Sequence, residues 1–225
     1  MSVLPEPYWQ DESRGLRLFH GDCREVCSTM PSGSVGGIVT DPPYRRQDLP
    51  WYEWLFREAG RLLADGGSLL VFVPQYAMPE VFSMPNDLPY RWTFAMRQTK
   101  HPRLPNGHLF FCVTQKLIGW WQKKPWDWPR TRVVDSFTVA EPTKTWHPWE
   151  QPVGWAKWCF DLLPEGRNVL DPFGGSGTVL VAAAETGRTA DAIEVVSEHC
   201  AMTVARLTED LTYGPPNLFN QQETQ

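Results

Sequence analysis

An apolar strand, a turn with three glycines and a helix follow one another near residue 170, and few folds accept that order. Asn168-Val-Leu-Asp-Pro-Phe-Gly-Gly-Ser-Gly-Thr178 places Gly174, Gly175 and Gly177 between the strand Asn168–Pro172 and the helix Thr178–Thr186, and Thr189–Val195 reads as the next strand. Glycine tolerates positive φ and lets a ligand or a second backbone come close. At the carboxyl end of a strand, such a turn forms the mouth of a nucleotide-binding βαβ unit. Glu194 ends the following strand, 23 residues after Asp171, close to the roughly 20-residue offset of a ribose-binding carboxylate. The alternative is an ordinary tight turn with a solvent-facing Glu. The spacing is not G-x-G-x-x-G, which disfavours a pyrophosphate cofactor.

The rest of the chain repeats the alternation. Leu16–His20 and Gly36–Thr40 read as short strands. Trp51 to Leu63 carries Trp51, Trp54, Leu55, Ala59, Leu62 and Leu63 at helical spacing, and Asp65-Gly66-Gly67 is expected to stop that helix. Ser68–Val73 is a continuous apolar run, as in a central parallel strand. Arg91–Arg97 and Leu109–Gly119 suit an antiparallel pair, and the Pro/Trp-rich stretch Gln122–Trp149 reads as loop. Pro152–Leu163 is expected to be helical, with Trp155, Trp158, Cys159 and Leu162 along its inner side, and His199–Leu211 closes the fold as an amphipathic helix. The predicted class is α/β: a Rossmann-like, doubly wound, mostly parallel sheet with one antiparallel strand pair. One domain is expected over 1–225, with 88–149 a basic, Trp-rich insert and 214–225 a flexible tail.

A second turn has chemistry of its own. Asp41-Pro42-Pro43-Tyr44 follows the strand Gly36–Thr40 directly, and two successive prolines cannot continue a buried strand. Asp41 can accept a hydrogen bond from an exocyclic amino group. The carbonyl of Pro42, held by the fixed φ of its ring, can accept another. Tyr44 offers a stacking face. The alternative is a Pro-Pro surface turn with a core tyrosine.

The charge is segregated. The 225 residues carry a net charge of −5, which argues against a polyanionic partner when taken as an average, yet Leu88 to Val134 holds nine Lys/Arg against Asp127 alone. Nine of the twelve tryptophans fall between Trp92 and Trp158. This basic, aromatic segment suits phosphate contact and base stacking; otherwise it is a solvated basic surface over a Trp-filled core. Trp155 and Trp158 are expected in the core. Of the adjacent Trp120 and Trp121, one should point inward and one outward if that run is a strand. No apolar run reaches the roughly 18 residues of a membrane span. The five cysteines lack C-x-x-C spacing and no histidine has metal-ligand spacing, so neither a disulfide scaffold nor a metal site is expected.

Together the two turns resemble the amino-directed DNA methyltransferases that use S-adenosylmethionine, in which a D/N/S-P-P-Y/F/W turn is catalytic and D-x-F-x-G-x-G binds the cofactor. With Asp41–Tyr44 first and Asp171–Gly177 last, the order is that of the permuted β group, which includes restriction-associated, cell-cycle and phage adenine methyltransferases. His20-Gly-Asp-Cys23, Ala64–Phe72 and His147-Pro-Trp-Glu-Gln-Pro152 also match family elements. Two features depart: Gln151 stands where the H-P-x-x-K-P element has lysine, and the region of a separate target-recognition domain is only about 25 residues, enough to read two or three base pairs.

The resemblance implies that S-adenosylmethionine lies across Phe173, Gly174, Gly175, Ser176 and Gly177. Asp171 and Thr178 would then stand near its methionine part, Glu194 on the ribose, Asp22 near the adenine and His147 in the cofactor-side element. Asp41, Pro42, Pro43 and Tyr44 would act on a base flipped out of double-stranded DNA, without a covalent adduct, so Cys23 and Cys27 are expected to be structural. Asp rather than Ser in first place leans toward adenine N6. Arg45, Arg46, Lys123, Lys124, Trp126, Trp128, Arg130 and Arg132 are the expected nucleic-acid contacts. A cytoplasmic setting is implied, and a homodimer is one expected state. The rivals are a cytosine-N4 or RNA amino methyltransferase, a catalytically silent DNA-binding subunit, and a metabolic Rossmann enzyme.

Overall fold

The computed structural model describes residues 4–98, 115–126, 133–139 and 151–208. In chain order the elements are β1 (Trp9–Asp11), β2 (Leu16–His20), α1 (Cys23–Thr29), β3 (Val35–Thr40), α2 (Pro50–Leu62), β4 (Leu63–Val73), α3 (Met78–Ser83), β5 (Tyr90–Gln98), β6 (Gln115–Gln122), β7 (Ser136–Val139), α4 (Val153–Phe160), β8 (Val169–Asp171), α5 (Thr178–Thr186), β9 (Ala190–Glu194) and α6 (Ser197–Thr208). The strands form one sheet in the order β1-β2-β9-β8-β3-β4-β6-β5-β7. Pairing is parallel from β2 through β9, β8 and β3 to β4. It is antiparallel between β4 and β6 and between β6 and β5. The expected doubly wound, mostly parallel α/β sheet with an antiparallel pair is the observed fold.

Burial follows from the sheet's two covered faces. All six residues of β3 are buried, and so is Ser68–Val73 of β4, as strands packed on both sides require. Helices α1, α2 and α3 cover one face through Val26, Leu55, Phe56 and Val81. The other face is covered by α4, α5 and α6 through Trp155, Phe160, Leu180 and Leu207. Trp120 and Trp121 are therefore both buried, on opposite faces. The expected inward–outward split fails because this sheet has no solvent face at that point. Helix α2 also sits rotated from its expected face: Tyr52, Leu55, Phe56, Ala59 and Leu62 are buried, while Trp51 and Trp54 turn toward Phe173.

Three further differences have local causes. Strand β4 begins at Leu63, so Asp65-Gly66-Gly67 lies within the strand, with Gly66 at φ 77°, rather than between helix and strand. The second antiparallel strand runs on past Gly119 to Gln122, and its expected residues 109–114 lie outside the described residues. Within the stretch expected to be loop, Ser136–Val139 forms β7 parallel to β5. Four residues at a sheet edge, paired on one side, leave too short an alternation to stand out among prolines and tryptophans.

From the central β3 the chain winds one way through α2 to β4, and from β8 the other way through α5 to β9. The strand order therefore switches between β3 and β8, and the crevice at their carboxyl ends is where open α/β sheets hold ligands. Asp41 and the glycine turn follow those two strands. Gly177 caps α5 at φ 79°, and a Cβ there would lie 2.4 Å from Thr203 Cγ2. Gly177→Ala combines left-handed strain with overpacking, and is expected to destabilise the fold by about 2–4 kcal/mol, measurable by denaturant unfolding.

Candidate active site

The two motifs meet through one hydrogen bond. The buried Thr40 hydroxyl, last in β3, donates to Asp171 Oδ1 across β8 at 2.6 Å, and the Phe173 N–H donates to the same oxygen at 3.1 Å. Burial pushes the Asp171 carboxyl up to about 7, against the pull of those two donors, and the nearby charges of Asp41 and Glu194 add to the rise.

Asp41 comes next after Thr40. Its Oδ2 accepts from Gln151 Nε2 at 2.7 Å, while Oδ1 is buried with no hydrogen-bond partner among the described residues. Burial raises its carboxyl to about 6, with Lys116 and the Gln151 amide opposing. Pro42 is buried, and Tyr44 is half-buried with its ring 5.3 Å from Lys116 Nζ. The Tyr76 hydroxyl donates to the Tyr44 carbonyl and so fixes the turn. Arg45 and Arg46 are exposed at this end of the sheet, beside Asp48 and Glu80.

The glycine turn is built from the backbone. Gly174 N–H donates to Ile193 O at 2.8 Å and Gly177 N–H to Gly174 O at 2.8 Å. Glu194 accepts from Gly175 N at 2.7 Å and Val196 N at 2.8 Å. Burial works against its charge, but donation from His199 and these two N–H groups prevails and holds the carboxyl below its ordinary value. Ser176 faces α6, where Arg206 bonds its carbonyl at 2.6 Å, so it locks the turn from behind. The Thr178 hydroxyl donates to Gln151 O at 3.3 Å.

Asp22 caps α1, accepting from Arg24 N at 2.8 Å, and pairs with the Arg24 side chain at 2.5 Å. The Arg24 guanidinium lies 4.8 Å from the Trp51 ring, which meets Phe173 edge-on at 5.6 Å. An aromatic wall of Trp51, Trp54 and Phe173 thus stands beside Asp22 and the glycine turn. Trp51, Trp54, Lys116 and Tyr76 were not singled out as site residues from the sequence. The surplus of aromatics on α2 beyond one buried face was the available signal for the first two. Cys23 is buried and pushed up to about 12, and burial raises Cys27 higher still, so neither is poised as a thiolate nucleophile.

The expected nucleic-acid residues divide. Strand β6 runs antiparallel to β4, with Val73 opposite Leu117 and Ser68 opposite Gln122. Lys123, Lys124 and Trp126 therefore fall at the far end of the sheet, roughly 17 Å along the strand from the Asp41–Tyr44 turn. Lys123 Nζ donates to the carbonyls of Gly60 and Leu63 at 3.0 and 2.8 Å, closing the end of α2. These three, expected as nucleic-acid contacts, stand away from a base held at Asp41. Trp128, Arg130, Arg132 and His147 lie outside the described residues.

The chain is thus a Rossmann-like α/β protein with a glycine turn and a part-buried Asp-Pro-Pro-Tyr turn at one switch point, the place where such sheets hold a nucleotide ligand. A model of the DNA methylase family matches residues 35–205, and the chain belongs to that family of S-adenosylmethionine-dependent methyltransferases acting on adenine N6 or cytosine N4. The type II methyltransferase M.Cfr9I of Citrobacter freundii is 28% identical over 273 residues, covering 87% of this chain and 89% of the relative. The DNA adenine methyltransferase YhdJ of Escherichia coli (strain K12) is 25% identical, covering 89% and 85%. The crystal structure of the M1.HpyAVI–SAM complex superposes with a TM-score of 0.71 at 22% identity, covering 85% of this chain and all of that one. Among the described residues, no helix is long and apolar enough to cross a membrane.

Proposed function

We propose that this chain transfers a methyl group from S-adenosylmethionine to N6 of an adenine turned out of duplex DNA. The observation that carries this reading is Asp41 Oδ1, buried and without a hydrogen-bond partner among the described residues, one residue from the Thr40–Asp171 bond that joins it to the glycine turn. A desolvated acceptor at such a place invites a donor, and an exocyclic amino group is one.

The site fits the cofactor. Gly174 backs onto Ile193 O, which a Cβ would meet at 3.1 Å, so side chains are excluded from this part of the turn. Glu194 Oε1 holds both the Val196 N–H and His199, whereas Oε2 holds the Gly175 N–H and keeps a lone pair for a ribose hydroxyl. Asp171 and Thr178 would face the methionine part, and Asp22 with Trp51 and Phe173 the adenine. When bound, the cofactor supplies an electrophilic methyl group on a sulfonium.

The amino lone pair of adenine is delocalised into the ring and attacks poorly. By accepting amino hydrogens, Asp41 and the Pro42 carbonyl favour a pyramidal nitrogen with its lone pair aimed at the glycine turn. Tyr44 holds the base by stacking. Catalysis is then alignment and electrostatics, and Asp41 can take the proton the product sheds. Arg45 and Arg46, exposed beside the turn, suit the flanking phosphates.

Adenine is favoured over cytosine by Asp in first place and by the adenine-specific relative. Mass spectrometry of nucleosides after incubation with DNA and S-adenosylmethionine is expected to show N6-methyladenine. N4-methylcytosine alone would move the assignment to cytosine, and no methylated nucleoside would overturn the reading.

A further inference from the structure

We propose that Gln151 is the positioning residue for Asp41, holding one carboxylate oxygen while tying the catalytic turn to the first turn of α5. This rests on the reading of Asp41 as the amino-group acceptor.

Gln151 reaches both motifs at once. Its side-chain Nε2 donates to Asp41 Oδ2 at 2.7 Å, and its main-chain oxygen accepts from Thr178 Oγ1 at 3.3 Å. Pro152 follows at φ −66° and N-caps α4, and a residue before proline is restricted to extended backbone, so the two contacts are fixed relative to each other. With Oδ2 taken, the carboxylate cannot swing about its Cβ–Cγ bond without breaking a bond to a half-buried amide. Oδ1 is the oxygen left for the substrate.

The residue type also matters. An amide donates a hydrogen bond but carries no charge, unlike the lysine of the family's H-P-x-x-K-P element. Among the described residues, the charged and titratable groups around Asp41 are Lys116 from β6, Asp171 at the end of β8, Tyr52 from α2 and Tyr44 within its own turn. Lys116 opposes the burial of the Asp41 charge, whereas Asp171 repels it. Gln151 thus sets geometry and, through a dipole rather than a charge, joins Lys116 in offsetting burial, which leaves the Asp41 carboxyl at about 6.

The test is a titration of the Asp41 carboxyl carbon by NMR in the whole, cofactor-free protein, assigned by its loss in Asp41→Asn, alongside pH profiles of kcat/KM. A midpoint near 6 is expected for the unsubstituted protein. In Gln151→Lys it should fall by about one pH unit or more, because an opposite charge replaces a dipole. In Gln151→Met, which keeps the volume and loses the donor, it should rise, with kcat down about tenfold or more and cofactor KM within about twofold. Equal midpoints in all three proteins would overturn the proposal, as would a Gln151→Met enzyme with unchanged kcat. If the unsubstituted protein methylates no DNA, the functional reading fails, whereas the NMR midpoints still decide whether Gln151 holds Asp41.

Discussion

Asp41→Ala is expected to lower methyl transfer to DNA by about 1,000-fold or more at pH 8, the scale of losing a charged acceptor aligned with the reacting centre. Cofactor affinity should stay within about threefold, because the glycine turn is held by its own backbone bonds and by Glu194. The substitution removes a carboxyl that burial lifts to about 6 together with the acceptor of Gln151 Nε2, two changes of opposite sign in stability, and an unchanged thermal melt of the variant separates lost chemistry from unfolding. Asp41→Asn separates charge from geometry. Gln151 can turn its amide over to accept from the new Nδ2, which leaves Asn Oδ1 facing the substrate. Activity should then lie between that of the alanine variant and the unsubstituted enzyme. The acid limb near pH 6 should vanish, since no carboxyl remains to be protonated as pH falls. An acid limb that persists in Asp41→Asn would assign it to another group, and transfer rates in Asp41→Ala within tenfold of the parent would remove Asp41 from the chemistry.

What was readable in advance divides by the range of the interaction. The central strands and the helix after the glycine turn were legible because their signals are local: continuous apolar runs at β3 and β4, and a turn whose glycines are needed where they stand. Both motifs therefore fell at carboxyl ends of adjacent strands, β3 and β8. The placement of Lys123, Lys124 and Trp126 was not legible, because charge counted along the sequence does not say which end of a sheet a segment reaches. That depends on the direction of β6 against β4, a pairing across some fifty residues, Ser68 with Gln122. Trp51 and Trp54 were misassigned for a related reason. Helical periodicity gives the spacing of a face but not its rotation, and Tyr52 took the inward position because its hydroxyl finds the Phe72 carbonyl at 2.9 Å. The Gln151–Asp41 bond spans 110 positions, and only the departure from lysine marked the residue in the sequence.

Asp171→Asn should trade binding for stability. The Asp171 carboxyl is raised from its ordinary 3.8 to about 7, so the folded state binds the proton more tightly than the unfolded chain. The stability this contributes is fully present below pH 3.8 and is lost as pH rises through about 7. At pH 8 the folded protein therefore carries a buried charge at a cost of a few kcal/mol. Asparagine keeps an oxygen for the Thr40 hydroxyl and the Phe173 N–H and carries no charge. The melting temperature at pH 8 should rise by about 5 °C or more, and the difference from the parent should shrink toward pH 5, where the parent carboxyl is itself protonated. Affinity for S-adenosylmethionine should fall by about 10–100-fold, the worth of a charge-assisted contact to a cationic ligand, as read by calorimetry. The two readouts move in opposite directions only if the charge is kept for the ligand. A variant that is less stable at pH 8 would make Asp171 a structural carboxylate, and one that binds the cofactor unchanged would place the methionine part away from the end of β8.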